Sequence, residues 1–193
     1  MNIGIVILAA GSSSRLGQSK QLVKINNETL LQRTIKIALQ ADANETVVVL
    51  GANAEIHSES IAQFPVQTIY NPDWQQGIGS SIKAGITYFD KKNIDAVIIL
   101  VCDQVFLKTQ HLQNIITNFQ EHKSTIVASK YNGIVGVPCL FRKSLFNEIA
   151  KMKDDVGAKN IITKFSDDTI YVDFPEGEFD VDTLDDLERL REM

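Results

Sequence analysis

The chain has 193 residues, 44% of them hydrophobic and 22% charged, a composition that supports one sizeable core and leads us to expect a single domain over 1–193. A formal net charge of −5 excludes a general nucleic-acid surface or an anionic-membrane binder, both of which need a basic face. Two cysteines in apolar settings without C-x-x-C spacing, Cys102 and Cys139, read as buried free thiols rather than a disulfide framework or zinc site, and no run approaches the roughly 20 apolar residues that cross a bilayer.

The first predicted element is a buried strand, Ile3–Ala10. No Lys or Arg precedes it and it is short for a secretory signal, so the expected location is cytoplasmic. The strand opens into Gly11-Ser12-Ser13-Ser14-Arg15-Leu16-Gly17-Gln18-Ser19-Lys20. Small side chains let backbone N–H groups converge on a phosphate there, and Arg15 and Lys20 add positive charge. The spacing is not that of a P-loop, because five residues separate Gly11 from Gly17 and Lys20 comes three later. Nor is it G-x-G-x-x-G, since Ser13 stands two after Gly11. The plainer alternative is a Gly-Ser turn after a strand.

Further along, Leu30–Ala41 is a predicted helix with Leu31, Ile35, Ala38 and Leu39 on one face, followed by strands at Thr46–Leu50 and Gln67–Tyr70. The polar segment Asn71–Ser81, which holds the only Trp, leads into a helix at Gly79–Phe89. Its glycines and serines offer donors to a nucleobase or ribose, or else Trp74 anchors the loop and Ser80 or Ser81 caps the helix. The strand Ala96–Cys102 is apolar throughout, as a central parallel strand would be, and Asp103 follows at its carboxyl end, where open α/β sheets bind ligands. Asp103 is therefore a Mg²⁺-ligand candidate, or a turn residue.

A helix at Thr109–Glu121, strands at Ser124–Ser129 and Val135–Phe141, helices at Ser144–Met152 and Ala158–Lys164, and a strand at Thr169–Val172 complete an α/β pattern whose later part admits an antiparallel strand. Alternation puts Asp180 and Asp182 on one side of an extended segment before a last helix, Asp182–Arg191. Asp182 reads either as a metal ligand or as an N-cap with Asp185 as partner. His57, His111 and His122 lie in polar contexts expected to be exposed, without metal spacing, and are assigned no role.

Leu8-Ala9-Ala10-Gly11 with Arg15, Gly17 and Lys20-Gln21-Leu22, then Asn71, Trp74, Gly77 and Ser81, Cys102-Asp103-Gln104, Gly136-Val137-Pro138, Asp155 with Gly157-Ala158, and Asp180-Val181-Asp182-Thr183 with Asp186-Leu187 run in order through the chain. Together they resemble MobA-like NTP transferases that act on the molybdenum cofactor, most closely the cytidylyltransferase group. Departures are Val105 after Gln104, and Thr183-Leu184-Asp185 in the closing motif, both where the family commonly has Pro.

The resemblance implies a glycosyltransferase-A-like, Rossmann-like three-layer sandwich with a mostly parallel mixed sheet. It implies transfer of CMP from CTP, favoured over GTP by the Ala10-Gly11 pair, to a molybdopterin-type phosphorylated acceptor, with a molybdoenzyme as downstream partner and Mg²⁺ as cofactor. By position, Arg15, Lys20 and Asp103 would be catalytic, and Asp103 and Asp182 would hold the metal. Leu8, Ala9, Ala10, Gly11, Ser12, Asn71, Gly77 and Ser81 would bind the nucleotide with Asp103. Gly136, Val137, Pro138, Gly157 and Ala158 would line the acceptor side. The same fold and metal could serve a sugar or alditol phosphate, and a molybdopterin carrier without transferase activity is the non-enzymatic alternative.

Overall fold

A computed structural model describes residues 1–192, with the side chains of Arg15, Leu184, Arg191 and Glu192 outside that description. The strands are β1 (Ile3–Ala9), β2 (Lys24–Ile25), β3 (Glu28–Thr29), β4 (Glu45–Leu50), β5 (Gln67–Tyr70), β6 (Ala96–Val101), β7 (Ile126–Tyr131), β8 (Ile134–Arg142) and β9 (Thr169–Asp173). The helices are α1 (Leu30–Leu39), α2 (Ala54–Ser60), α3 (Ile78–Asp90), α4 (Thr109–Glu121), α5 (Phe146–Ala150), α6 (Ala158–Lys164) and α7 (Leu184–Glu192).

Seven strands form one sheet in the order β5-β4-β1-β6-β8-β7-β9. β8 runs antiparallel to both its neighbours, and the other pairings are parallel. The sheet is thus mixed and mostly parallel, as the resemblance implied.

Alternation along β1 sorts its side chains to two faces. Ile3, Ile5 and Ile7 pack with Leu31 and Ile35 of α1 and with Leu112, Ile115 and Phe119 of α4. Val6 and Leu8 pack with Ile82, Ile86 and Phe89 of α3 and with helices α5 and α6. Covering both faces explains the unbroken apolar runs of β1 and β6, and each fully buried Val, Leu or Ile contributes on the order of 1.5–3 kcal/mol. The result is a three-layer α/β sandwich.

A third cluster sits beyond the carboxyl ends of the strands. Leu16, Val23 and Leu30 meet Val105, Val181 and Leu187 there, so the loop after β1, the loop after β6 and the start of α7 share one small core. That cluster brings the loop lysine and the acidic residues together.

Four expectations are corrected. Leu39 is 38% exposed rather than on the buried face of α1. His57 is fully buried and His111 nearly so, each held by a hydroxyl, while His122 is exposed as expected. The last helix is capped by Thr183, not Asp182: Thr183 N–H donates to Asp186 Oδ2 at 2.8 Å and Asp186 N–H to Thr183 Oγ1 at 3.2 Å. Neither Ser80 nor Ser81 caps α3, whose N-cap position is Gly77.

Two short elements escaped the sequence reading. The hairpin β2–β3 turns through Asn26 and Asn27, both at positive φ, a pair that suits a two-residue turn. α2 is a mostly polar helix of 7 residues, too short to display a repeating apolar face.

Candidate functional site

β1 and β6 are adjacent and parallel, with Leu8 opposite Val101, so the residues that follow them leave the sheet side by side. The chain after β1 makes a tight 3₁₀ turn, Ser14–Leu16, between Ser13 at φ 55° and Gly17 at φ 69°. Left-handed backbone on both sides folds the loop back toward the sheet, and glycine meets that requirement without strain. Arg15 belongs to this turn by its backbone; its side chain lies outside the described residues.

Lys20 closes the loop and reaches back over the strand ends. Its Nζ lies 2.7 Å from Asp103 Oδ2 and 2.5 Å from Asp182 Oδ1. Burial alone would depress the ammonium pKa, but the charges and hydrogen bonds of Asp103 and Asp182 outweigh it and hold Lys20 above the ordinary lysine value. Asp103 Oδ1 is buried with no hydrogen-bond donor among the described residues. Asp180, bridged to Gln104 through the backbone, has its carboxyl raised to about 7, by desolvation first and then by the charges of Asp103 and Asp182.

Beside this cluster opens a cavity of about 350 Å³, within the size range of small-molecule sites. Of the residues singled out for a nucleotide, Leu8, Ala10, Gly11, Ser12, Gly77, Ser81 and Asp103 line it, together with Lys20. Gln21, Trp74, Gln75 and Ile78 join them although no role was read for Gln21, Gln75 or Ile78. Gln75 and Ile78 sit between Trp74 and Ser81, so the length of that loop was the available signal.

Ala9 and Asn71 stand behind the cavity. Ala9 is buried in β1 and its carbonyl accepts from Gln21 Nε2 at 3.1 Å. Asn71 is buried too, and its Nδ2 donates to Ser80 Oγ and Ser81 Oγ at 2.9 and 3.0 Å, which steadies the wall that Ser81 forms. Trp74 both lines the cavity and anchors its loop, lying so close to Gly51 that a Cβ there would sit 2.6 Å from Trp74 Cβ.

Two donors expected to face a ligand are already taken. Gly79 N–H and Ser80 N–H at the start of α3 both donate to Asp154 O, at 2.8 and 3.3 Å. The five residues named for the acceptor side do not line this cavity. Gly136, Val137 and Pro138 belong to β8, where Val137 O accepts from Gln104 Nε2 at 3.1 Å. Gly157 is the N-cap of α6, 3.6 Å from Ile78 Cγ2 when given a Cβ, and Ala158 is buried in the core. Cys102 and Cys139 are buried and free, and burial pushes the Cys102 thiol up to about 12. No helix among the described residues is long and apolar enough to cross a membrane.

The molybdenum cofactor cytidylyltransferase of Escherichia coli K12 is 26% identical over 190 residues, 96% of this chain and 93% of its own. A probable molybdenum cofactor guanylyltransferase of Synechococcus elongatus is 33% identical over 115 residues, 58% of this chain and 56% of its own. The crystal structure of Rv0371c from Mycobacterium tuberculosis H37Rv superposes with a TM-score of 0.86 at 25% identity, covering 100% of this chain and 99% of that one. A second structure of Rv0371c, in complex with manganese, superposes with a TM-score of 0.79 over the same shares at 25% identity. The MobA-like NTP transferase domain matches residues 5–169, and the chain belongs to that family of nucleotidyltransferases.

Proposed function

We propose that this nucleotidyltransferase is a single domain over 1–193 that transfers CMP from CTP to the terminal phosphate of a molybdopterin-type acceptor, releasing pyrophosphate. The observation that carries the reading is Lys20 bridging Asp103 and Asp182 at the edge of the cavity. The length of the match to the cytidylyltransferase supports CTP over GTP, and a molybdoenzyme follows as the recipient of the product. A cytoplasmic location accords with such a cofactor.

Mg²⁺ is the cofactor in this reading, held by Asp103 and Asp182. The donor set fits: carboxylate oxygens suit a hard cation, and Asp103 Oδ1 is a buried acceptor without a donor among the described residues. When bound, the ion supplies positive charge to the triphosphate.

An acceptor phosphate is ionised near neutral pH, so attack at the α-phosphorus needs no general base. A new P–O bond forms from the acceptor oxygen as the bond to the β-phosphate oxygen breaks, and pyrophosphate leaves with the electron pair. Lys20 and Arg15 stabilise the charge that gathers on the phosphates, and Gly11 and Ser12 offer backbone donors. Leu8, Ala10, Gly77 and Ser81 enclose the nucleoside, with Ala9 and Asn71 fixing the wall behind them. Gly136, Val137 and Pro138, tied to the metal loop through Gln104, serve the acceptor side with Gly157, which lies against Ile78, and Ala158.

The test is pyrophosphate release and product mass from each of CTP and GTP with Mg²⁺, using molybdopterin, a sugar phosphate and an alditol phosphate as acceptors. Turnover with CTP and molybdopterin is expected. Turnover with a sugar or alditol phosphate alone would replace the acceptor, and CTP binding without turnover would make the protein a carrier.

A further inference from the structure

Deep beneath the phosphate loop, Gln21 is 2% exposed and its amide orientation is fixed by its neighbours. Its Nε2 faces Ala9 O at 3.1 Å and Gly11 O at 2.8 Å, and carbonyls only accept, so Oε1 is the end that faces Ser13 Oγ at 3.2 Å and Ser19 Oγ at 2.7 Å. Both hydroxyls must therefore donate to Gln21. The single proton of Ser19 is committed in that direction, yet His57 Nε2 lies 2.6 Å from the same oxygen. His57 Nε2 must then be the donor, which fixes the neutral Nε2–H tautomer and leaves Nδ1 without a partner among the described residues. His57 is fully buried, in keeping with a neutral ring.

The chain of bonds ends at the reacting cation. Ser13 Oγ, besides donating to Gln21, accepts from Lys20 N–H at 3.0 Å, and Ser19 is the residue before Lys20. We propose that His57 is a positioning residue: its Nε2–H, donated to Ser19 Oγ, locks the Ser13–Gln21 backbone against the end of β1 and so sets the place from which Lys20 reaches Asp103 and Asp182. A buried imidazole with a nitrogen that no described residue partners is a poor choice for packing alone, since an apolar residue of similar size would avoid that loss. The hydrogen bond of its ring to Ser19 accounts for a histidine at this position.

The inference rests on Lys20 serving a phosphate, and its tests separate the two ideas. ¹⁵N-histidine spectra of the whole protein at neutral pH are expected to show His57 as the Nε2–H tautomer, and an Nδ1–H tautomer would overturn the proposal. His57→Leu is expected to speed tryptic cleavage after Lys20 and to weaken binding of CTP with Mg²⁺, each on the order of tenfold, with His57→Gln, which keeps an Nε2–H donor, restoring both. Ser19→Ala removes the same link, together with the Ser19–Gln21 bond, without disturbing α2 and should speed cleavage at least as much, so unchanged cleavage in it overturns the proposal even where His57→Leu does not fold. Wild-type cleavage rates in His57→Leu or, should that variant not fold, in Ser19→Ala would sink the positioning role. If the wild-type protein binds no nucleotide, the nucleotidyltransferase reading of the site fails, while cleavage and tautomer still decide what His57 does.

Discussion

Lys20 Nζ lies 2.7 Å from Asp103 Oδ2, although 83 positions separate the two residues in the chain. The meeting follows from the parallel pairing of β1 with β6, which delivers both to one edge of the sheet. The ammonium also binds Asp182, so one positive charge is shared between two carboxylates. Lys20→Ala should lower turnover with CTP by about 10²–10³ and weaken CTP binding, as expected for one lost electrostatic contact in a catalytic site. It also removes the cation that both carboxylates bind, so thermal melts should show Mg²⁺ stabilising this variant more than the wild type. Equal stabilisation would mean that the carboxylates do not share an ion.

Asp103→Asn separates the chemistry of this carboxylate from its structural part. Asp182 keeps Lys20 paired, so the melting temperature should stay within about 2 °C of wild type, while removal of a metal ligand should cut pyrophosphate release at least 10²-fold. Near-normal turnover would remove Asp103 from the mechanism.

The reach of the sequence reading depended on how far apart the deciding residues lay. The apolar runs of β1 and β6 carried the fold class because strands covered on both faces must be apolar throughout, and the antiparallel place of β8 was open in the loosening of the pattern after residue 124. The cap of α7 was misplaced by one residue, since Asp182 and Thr183 both suit an N-cap and only the reciprocal bonds of Thr183 with Asp186 distinguish them. That shift leaves Asp182 to Lys20. His57 and His111 looked exposed because their sequence neighbours are polar, whereas a helix buries one side only and both rings fall on it. The link from His57 to Ser19, 38 positions away, had no local signature at all.

Gly79→Ala should show how closely the 153–157 segment is moulded to α3. A Cβ at Gly79 would lie 2.5 Å from Lys153 O and 2.6 Å from Val156 O, both backbone atoms that can give way only by moving the segment. Overpacking of this kind costs about 1–3 kcal/mol, and a chain of this length loses roughly 2–4 °C in melting temperature per kcal/mol. Gly157→Ala is the control, because its Cβ meets only Ile78 Cγ2 at an ordinary 3.6 Å and its φ of −87° suits any residue. Melting curves of the two variants should diverge, and equal losses would mean that the segment yields freely.

His111 gives the protein a stability that depends on pH in a defined window. Its Nε2 lies 2.7 Å from Ser129 Oγ, which donates to Pro138 O at 2.6 Å, and its ring stacks on Phe174 with centroids 4.4 Å apart. Burial lowers its pKa to about 4 from an ordinary 6.5, with the charge of Glu176 opposing. Between those values the unfolded chain holds a proton that the folded protein refuses. Stability is therefore flat above pH 6.5 from this group and falls as the pH drops toward 4, by on the order of 3 kcal/mol in full. His57, whose pKa burial also lowers, acts in the same sense. His111→Gln keeps an N–H for Ser129 but cannot take up the proton, so denaturant midpoints read at pH 7.5, 6.5 and 5 should fall less steeply for the variant. Reading no lower than pH 5 keeps the window above most carboxylate titrations, so a slope equal to wild type would mean that the folded protein protonates His111 as readily as the unfolded chain does.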